Sequence, residues 1–244
     1  MNILAIGNSF SQDATRYLAG IAQADGVALR VVNLYIGGCS LERHYRNMLS
    51  GERAYSLELN GIASGFSVSL DEALYANAYD VITLQQVSQA SPYYKTFQPY
   101  LSALAAHVRR AQPRAKLYMH QTWAYEAGSY RLCEELKFTK PEEMLSLVRA
   151  SYATAASEIG ADGVIPSGET LMQLSHLGIK KVHRDTFHAS LGVGRYALAL
   201  AWYGKLTGCD FSENTFRYFD VPVSEDDVAI AKEAARRALA EETA

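Results

Sequence analysis

The chain has 244 residues, 49% of them hydrophobic and 20% charged, with a net charge of −3. That length is ample for a buried core. The mildly acidic balance argues against nucleic acid or a membrane surface as the main partner, since either favours a basic patch, and the nearest one here, around Lys180, Lys181 and Arg184, is short. Residues 2–6 read as a buried strand that runs straight into Gly7-Asn8-Ser9-Phe10-Ser11. Ala14, Leu18, Ile21 and Ala22 then repeat at helical spacing, predicting a helix over 10–24 that Gly26 ends. A second apolar run over 29–36 stops at Gly37-Gly38, completing a strand–helix–strand unit within 40 residues.

A short helix is expected over 41–50. Residues 55–59 and 66–70 alternate about an Asn60-Gly61 turn and predict an inserted hairpin at 51–79, lying over the strand ends. A third core strand over 80–84 ends in Gln85-Gln86, and a fourth over 115–120 follows an amphipathic helix at 96–111. Pro141 suits a first helical position and opens a long helix over 141–159. A fifth, short strand over 163–166 precedes helices at 168–177, 188–207 and 224–242. Alternating strands and helices predict an α/β fold, a three-layer α/β/α sandwich around a mostly parallel five-stranded sheet. The whole of 1–244 is expected to form one domain. No stretch approaches the ~18 apolar residues of a membrane span, and no signal peptide is read before the first strand, so a cytoplasmic location is expected. Cys39, Cys133 and Cys209 lack metal-type spacing and read as small, mostly buried thiols in a reducing compartment.

In parallel sheets, functional residues lie past the carboxyl ends of strands. Those ends carry Asn8-Ser9, Gly37-Gly38 and Gln85-Gln86, all on one edge of the sheet. A serine at the start of a helix can be a nucleophile if a base reaches it, and the helix amino end favours developing negative charge. The same residues also suit a plain helix cap. Gly38 can present a backbone N–H to an oxyanion or simply make a turn. A Gln85 or Gln86 amide can donate to that oxyanion or satisfy loop backbone. Asp185 and His188, three residues apart, can pair as carboxylate and imidazole, or cap the following helix. His183, Asp185 and His188 are also a conceivable zinc or iron ligand set. His44 and His120 fall near the site edge, and His107 reads as a solvated helix residue. Neither a nucleotide-binding glycine pattern nor a G-x-S-x-G elbow is present. Trp123, Tyr125 and Tyr130 mark 122–140 as a segment that shapes the pocket, either as specificity walls or as core.

In this order and spacing, Gly7 to Ser11, Gly38, the amide after the third strand and Asp185-x-x-His188 resemble the SGNH (GDSL-type) hydrolase superfamily. More narrowly, the chain is similar over about residues 2–205 to an uncharacterised bacterial branch reading G-N-S-F-S, G-G-C-S-L, L-Q-x-x-S and D-x-x-H-A-S. The resemblance implies a flavodoxin-like sandwich and a serine esterase working through an acyl-serine. Its substrates would be short acyl esters, O-acetyl above all, of a small molecule or a carbohydrate. Ser9 would be the nucleophile, His188 the base and then acid, and Asp185 the group that holds its imidazole. The Ser9 and Gly38 amides would form two arms of an oxyanion hole. The third arm in the family is commonly an asparagine, absent here; Gln85, with Gln86 as alternate, takes its place by analogy with acetylesterases that use a glutamine. No cofactor or metal is implied, and no nucleic-acid or membrane partner. The rival readings are a non-catalytic carbohydrate-binding relative and a metal-dependent hydrolase built on His183, Asp185 and His188.

Overall fold

The computed structural model describes residues 1–242. Five parallel strands form where the apolar runs predict them: β1 (Asn2–Gly7), β2 (Arg30–Tyr35), β5 (Val81–Leu84), β6 (Lys116–His120) and β7 (Gly163–Ile165). The sheet nevertheless has seven strands, not five. The inserted segment contributes β3 (Tyr55–Leu59) and β4 (Ile62–Val68), which extend the sheet antiparallel to β2 instead of lying over the strand ends. Polar pairing explains this. Glu58 faces Asn33 across the β2–β3 pair, is buried, and accepts from the Asn33 amide at 2.7 Å and from Gln12. A hairpin folded over the strand ends would leave Asn33 buried without that acceptor, at a cost of about 1–3 kcal/mol.

The strand order is β4-β3-β2-β1-β5-β6-β7. The chain therefore leaves β1 toward β2 on one side and returns to β5 on the other. Crevices at such a reversal of strand order are where open α/β sheets bind ligands. Every residue from Ile3 to Ile6 is fully buried, as a strand covered on both faces requires.

Helices α1 (Ser9–Thr15), α2 (Leu18–Ala24), α7 (Ser167–His176), α8 (Val193–Thr207) and α9 (Glu225–Glu242) pack together as one layer. Helices α3 (Leu41–Ser50), α4 (Leu70–Ala76), α5 (Tyr100–Ala111) and α6 (Pro141–Ile159) form the other. Two helices differ from expectation. The first breaks at Arg16-Tyr17, where both side chains turn to distant partners: Arg16 to Asp220 and the Gly61 carbonyl, and Tyr17 Oη to the Leu191 carbonyl. The helix expected from residue 188 starts only at Val193, because His183 and Ala189 form an isolated antiparallel bridge that holds the preceding loop extended. Among the described residues no helix is long and apolar enough to cross a membrane. All three cysteines are free thiols, and only Cys39 is buried.

Candidate active site

The opening motif folds as strand, cap and helix. Asn8 is the N-cap of α1: its backbone is extended and its Oδ1 accepts the Phe10 N–H at 3.0 Å. Ser9 is thereby the first helical residue, half-buried, with an N–H that has no acceptor inside the helix. Gly7 has to be glycine, since a Cβ there would collide with Ser11 and stand 2.6 Å from Gln85 Oε1. The other half of the site comes from the loop before α8. Asp185 Oδ1 accepts the His188 N–H at 2.9 Å, and Asp185 Oδ2 lies 2.8 Å from His188 Nδ1. Between them Thr186 takes a left-handed backbone, φ +79°, uncommon for a β-branched residue. That turn aims His188 Nε2 at Ser9 Oγ, 2.8 Å away. Partial burial works against the Asp185 carboxylate, but the bonds it accepts from the His188 ring and backbone outweigh this and hold its pKa below the ordinary value.

Several contacts fix this loop. Trp123 Nε1 donates to the Phe187 carbonyl at 2.7 Å, and the Glu126 N–H donates to the Thr186 carbonyl at 2.8 Å. Trp123 also stacks on Phe10 of α1 at 3.9 Å between centroids. Trp123 and Tyr125 are thus buried supports of the site, and of the three aromatics only Tyr130 is exposed. Asp13, fully buried one turn after Ser9, accepts from Arg184, Arg195 and the Ala189 N–H. Sequence reasoning missed this clamp. The available signal was an acidic residue on the apolar face of the first helix, which a fold tolerates only if cations reach it.

A cleft of about 290 Å³ opens over Ser9 and His188. Its walls include Tyr35, Gly38, Ser88, Gln89, Arg131 and Phe187. Gly38 has φ +63°, and a side chain there would meet nothing within 4 Å, so glycine serves the backbone conformation and not a close approach. Asn8 ties this turn to α1 by donating to the Cys39 carbonyl at 3.0 Å.

The glutamines correct the expectation. Gln85 is buried and does not line the cleft: its Nε2 donates to Asn8 Oδ1 at 2.7 Å and its Oε1 pairs with His120 Nδ1 at 2.8 Å. Gln86 is equally occupied, accepting from Leu41 and Val87 N–H groups and donating to Thr96. Both amides organise the strand ends, and the same loop brings Ser88 and the exposed Gln89 to the cleft instead. His44 and His120 are fully buried, not cleft residues, and burial pulls each imidazole down to about 3. His107 is not simply solvated: it pairs with Asp71 at 2.6 Å. His183 does not join Asp185 and His188. Its Nε2 donates to the Ala124 carbonyl at 3.1 Å, and among the described residues no three His, Cys, Asp or Glu side chains are grouped to hold a metal.

The family model described as "Domain of unknown function (DUF4886)" matches residues 2–238. A crystal structure of a DUF4886 family protein from Bacteroides uniformis superposes with a TM-score of 0.89 at 31% identity, covering 98% of this chain and 95% of that one. An SGNH hydrolase candidate from Slackia heliotrinireducens superposes with a TM-score of 0.58 at 21% identity, over 83% of this chain and 97% of that one. A GDSL-like lipase candidate from Parabacteroides merdae gives 0.56 at 16% identity, over 85% and 95%. These last two likenesses show the SGNH fold. No curated protein matches the sequence.

Proposed function

The chain belongs to the DUF4886 family and has the SGNH fold, and on that premise we propose that it is a serine hydrolase that cleaves short acyl esters through an acyl-serine. One observation carries the reading: the unbroken line Asp185–His188–Ser9, with both links at 2.8 Å. In this reading His188 Nε2 takes the Ser9 proton as Oγ attacks the ester carbonyl, then returns it to the leaving alcohol. Asp185 holds the imidazole by Nδ1, which leaves Nε2 free to accept. The Ser9 and Gly38 amides receive the oxyanion, and the amino end of α1 adds its dipole to the same charge. The chemistry assigned to these residues needs no metal or cofactor.

The small cleft, about 290 Å³, favours a short acyl group such as acetyl, since drug-sized ligands occupy ~300–1,000 Å³. The hydroxyl and amide groups of Tyr35, Ser88 and Gln89 at its walls favour a polar alcohol, with a carbohydrate as the fitting class. The test is steady-state hydrolysis of 4-nitrophenyl acetate and of an O-acetylated sugar. Ser9→Ala and His188→Ala are each expected to lower kcat by about 10⁴-fold or more, and Asp185→Asn by less. Wild-type turnover that survives Ser9→Ala would refute the reading.

A further inference from the structure

We propose that Arg131 is an anion-recognition residue at the mouth of the cleft, and that the preferred substrates are esters carrying a carboxylate. The proposal rests on the hydrolase reading for its substrate class, though not for the existence of the anion site.

The argument begins with charge. Among the described residues, no Asp or Glu lines the cleft, and Arg131 is the Lys or Arg that does. Its position is fixed from both ends. The backbone around it is pinned by the Ser129 N–H donating to the Glu126 carbonyl at 3.1 Å and by Ser129 Oγ accepting the Leu132 N–H at 3.3 Å. The Arg131 Cζ lies over the Phe187 ring, 4.0 Å from its centroid. Phe187 in turn lies 3.9 Å from the His188 ring. The cation and the base thus both touch Phe187 and line the same cleft.

The guanidinium carries five N–H donors in a planar fork, which matches a carboxylate in two parallel bonds. Several other arginines already hold a carboxylate in this way: Arg149 has Glu169, Arg184 has Asp13, and Arg195 has Asp13 and Asp220. Arg131 has no carboxylate partner among the described residues, and its neighbour Glu134 is paired with Lys137. The Tyr125 hydroxyl, bonded to Ser88 Oγ at 2.8 Å, is among the polar groups near it. Burial raises the Tyr125 pKa, and Ser88 and Arg131 both act against that rise. Arg131 thus lies against Phe187, and with no carboxylate partner among the described residues it is available to an incoming anion.

The test uses matched esters that differ only in charge. On the alcohol side these are 4-acetoxybenzoate and methyl 4-acetoxybenzoate. On the acyl side they are 4-nitrophenyl hemisuccinate and its methyl ester. The ratio of kcat/KM, anionic over neutral, is expected to fall about 10- to 100-fold in Arg131→Gln for one of the two pairs, with Arg131→Lys intermediate. Turnover in which Arg131→Gln lowers both members of each pair equally would overturn the proposal and leave Arg131 as a support for Phe187.

A second arm does not depend on turnover. Ligand-observed NMR on Ser9→Ala protein compares 4-acetamidobenzoate with 4-acetamidobenzamide, with and without Arg131→Gln. If no ester is hydrolysed, the hydrolase reading fails; binding of the carboxylate that Arg131→Gln abolishes still upholds the anion site. Equal or no binding of the two ligands removes it.

Discussion

Asp13 Oδ2 accepts the Ala189 N–H at 3.2 Å, joining the residue four places after Ser9 to the residue that follows His188. The same carboxylate takes Arg184 at 2.8 Å and Arg195 at 2.9 Å, while having no exposure of its own. Helix α1 and the loop that carries His188 are thus locked in register by one buried charge. A buried carboxylate with two guanidinium partners is costly to disturb, because Arg184 would then lack its counter-charge and Arg195 would keep only Asp220.

Asp13→Asn is therefore expected to cost about 3 kcal/mol of stability, measured by urea denaturation. It should also slow acylation of Ser9, although Asp13 touches neither reacting atom. Arg195→Lys, which keeps the charge, should restore neither the fork nor the full rate. A neutral result for Asp13→Asn in both assays would remove the clamp from this account.

The frame and the meeting of Ser9, His188 and Asp185 were legible in the sequence, and their supports were not. Apolar runs marked five parallel strands because buried strands have no other way to satisfy both faces. Ser9, Asp185 and His188 were legible because a hydroxyl at a strand end and a carboxylate–imidazole pair each occupy a local, readable pattern. The hairpin's place in the sheet depended on Glu58 meeting Asn33, a contact between distant segments that no local pattern encodes. Gln85 misled for the same reason. Its position at a strand end was right, but its amide orientation is set by Asn8 and by His120 on β6. Asp13 and Arg131 act through partners more than 50 residues away, on Arg184 and Phe187.

The two glutamine positions separate support from contact. Gln85→Ala should cost about 1–3 kcal/mol of stability by leaving Asn8 Oδ1 and His120 Nδ1 short of a partner. Gln89→Ala, at an exposed residue of the cleft wall, should leave stability within about 0.5 kcal/mol and act on KM. The reverse pattern, a stable Gln85→Ala with only kcat reduced, would reinstate Gln85 at the oxyanion.

Three buried imidazoles set a pH dependence of stability. Burial lowers His44 and His120 to about 3 and His183 to about 4. All three are neutral in the folded protein at pH 7, and the unfolded chain takes up their protons below its ordinary histidine pKa near 6.5. Because the unfolded state then binds more protons, stability must fall as pH drops from about 6.5 toward 4, by up to ~1.4 kcal/mol per pH unit for each group. Urea midpoints at pH 7, 6 and 5 should decline in that order. A midpoint that holds steady down to pH 5 would show these histidines to be solvated.

The central claim is that His188 activates Ser9. It is tested most directly by treating the folded protein with a fluorophosphonate probe and mapping the modified peptide, with Ser9→Ala and His188→Ala in parallel. The account predicts one adduct, on Ser9 in the 9–15 helix, absent from Ser9→Ala and strongly slowed in His188→Ala. A folded wild-type protein that takes up no probe, or carries it on another residue, would contradict it.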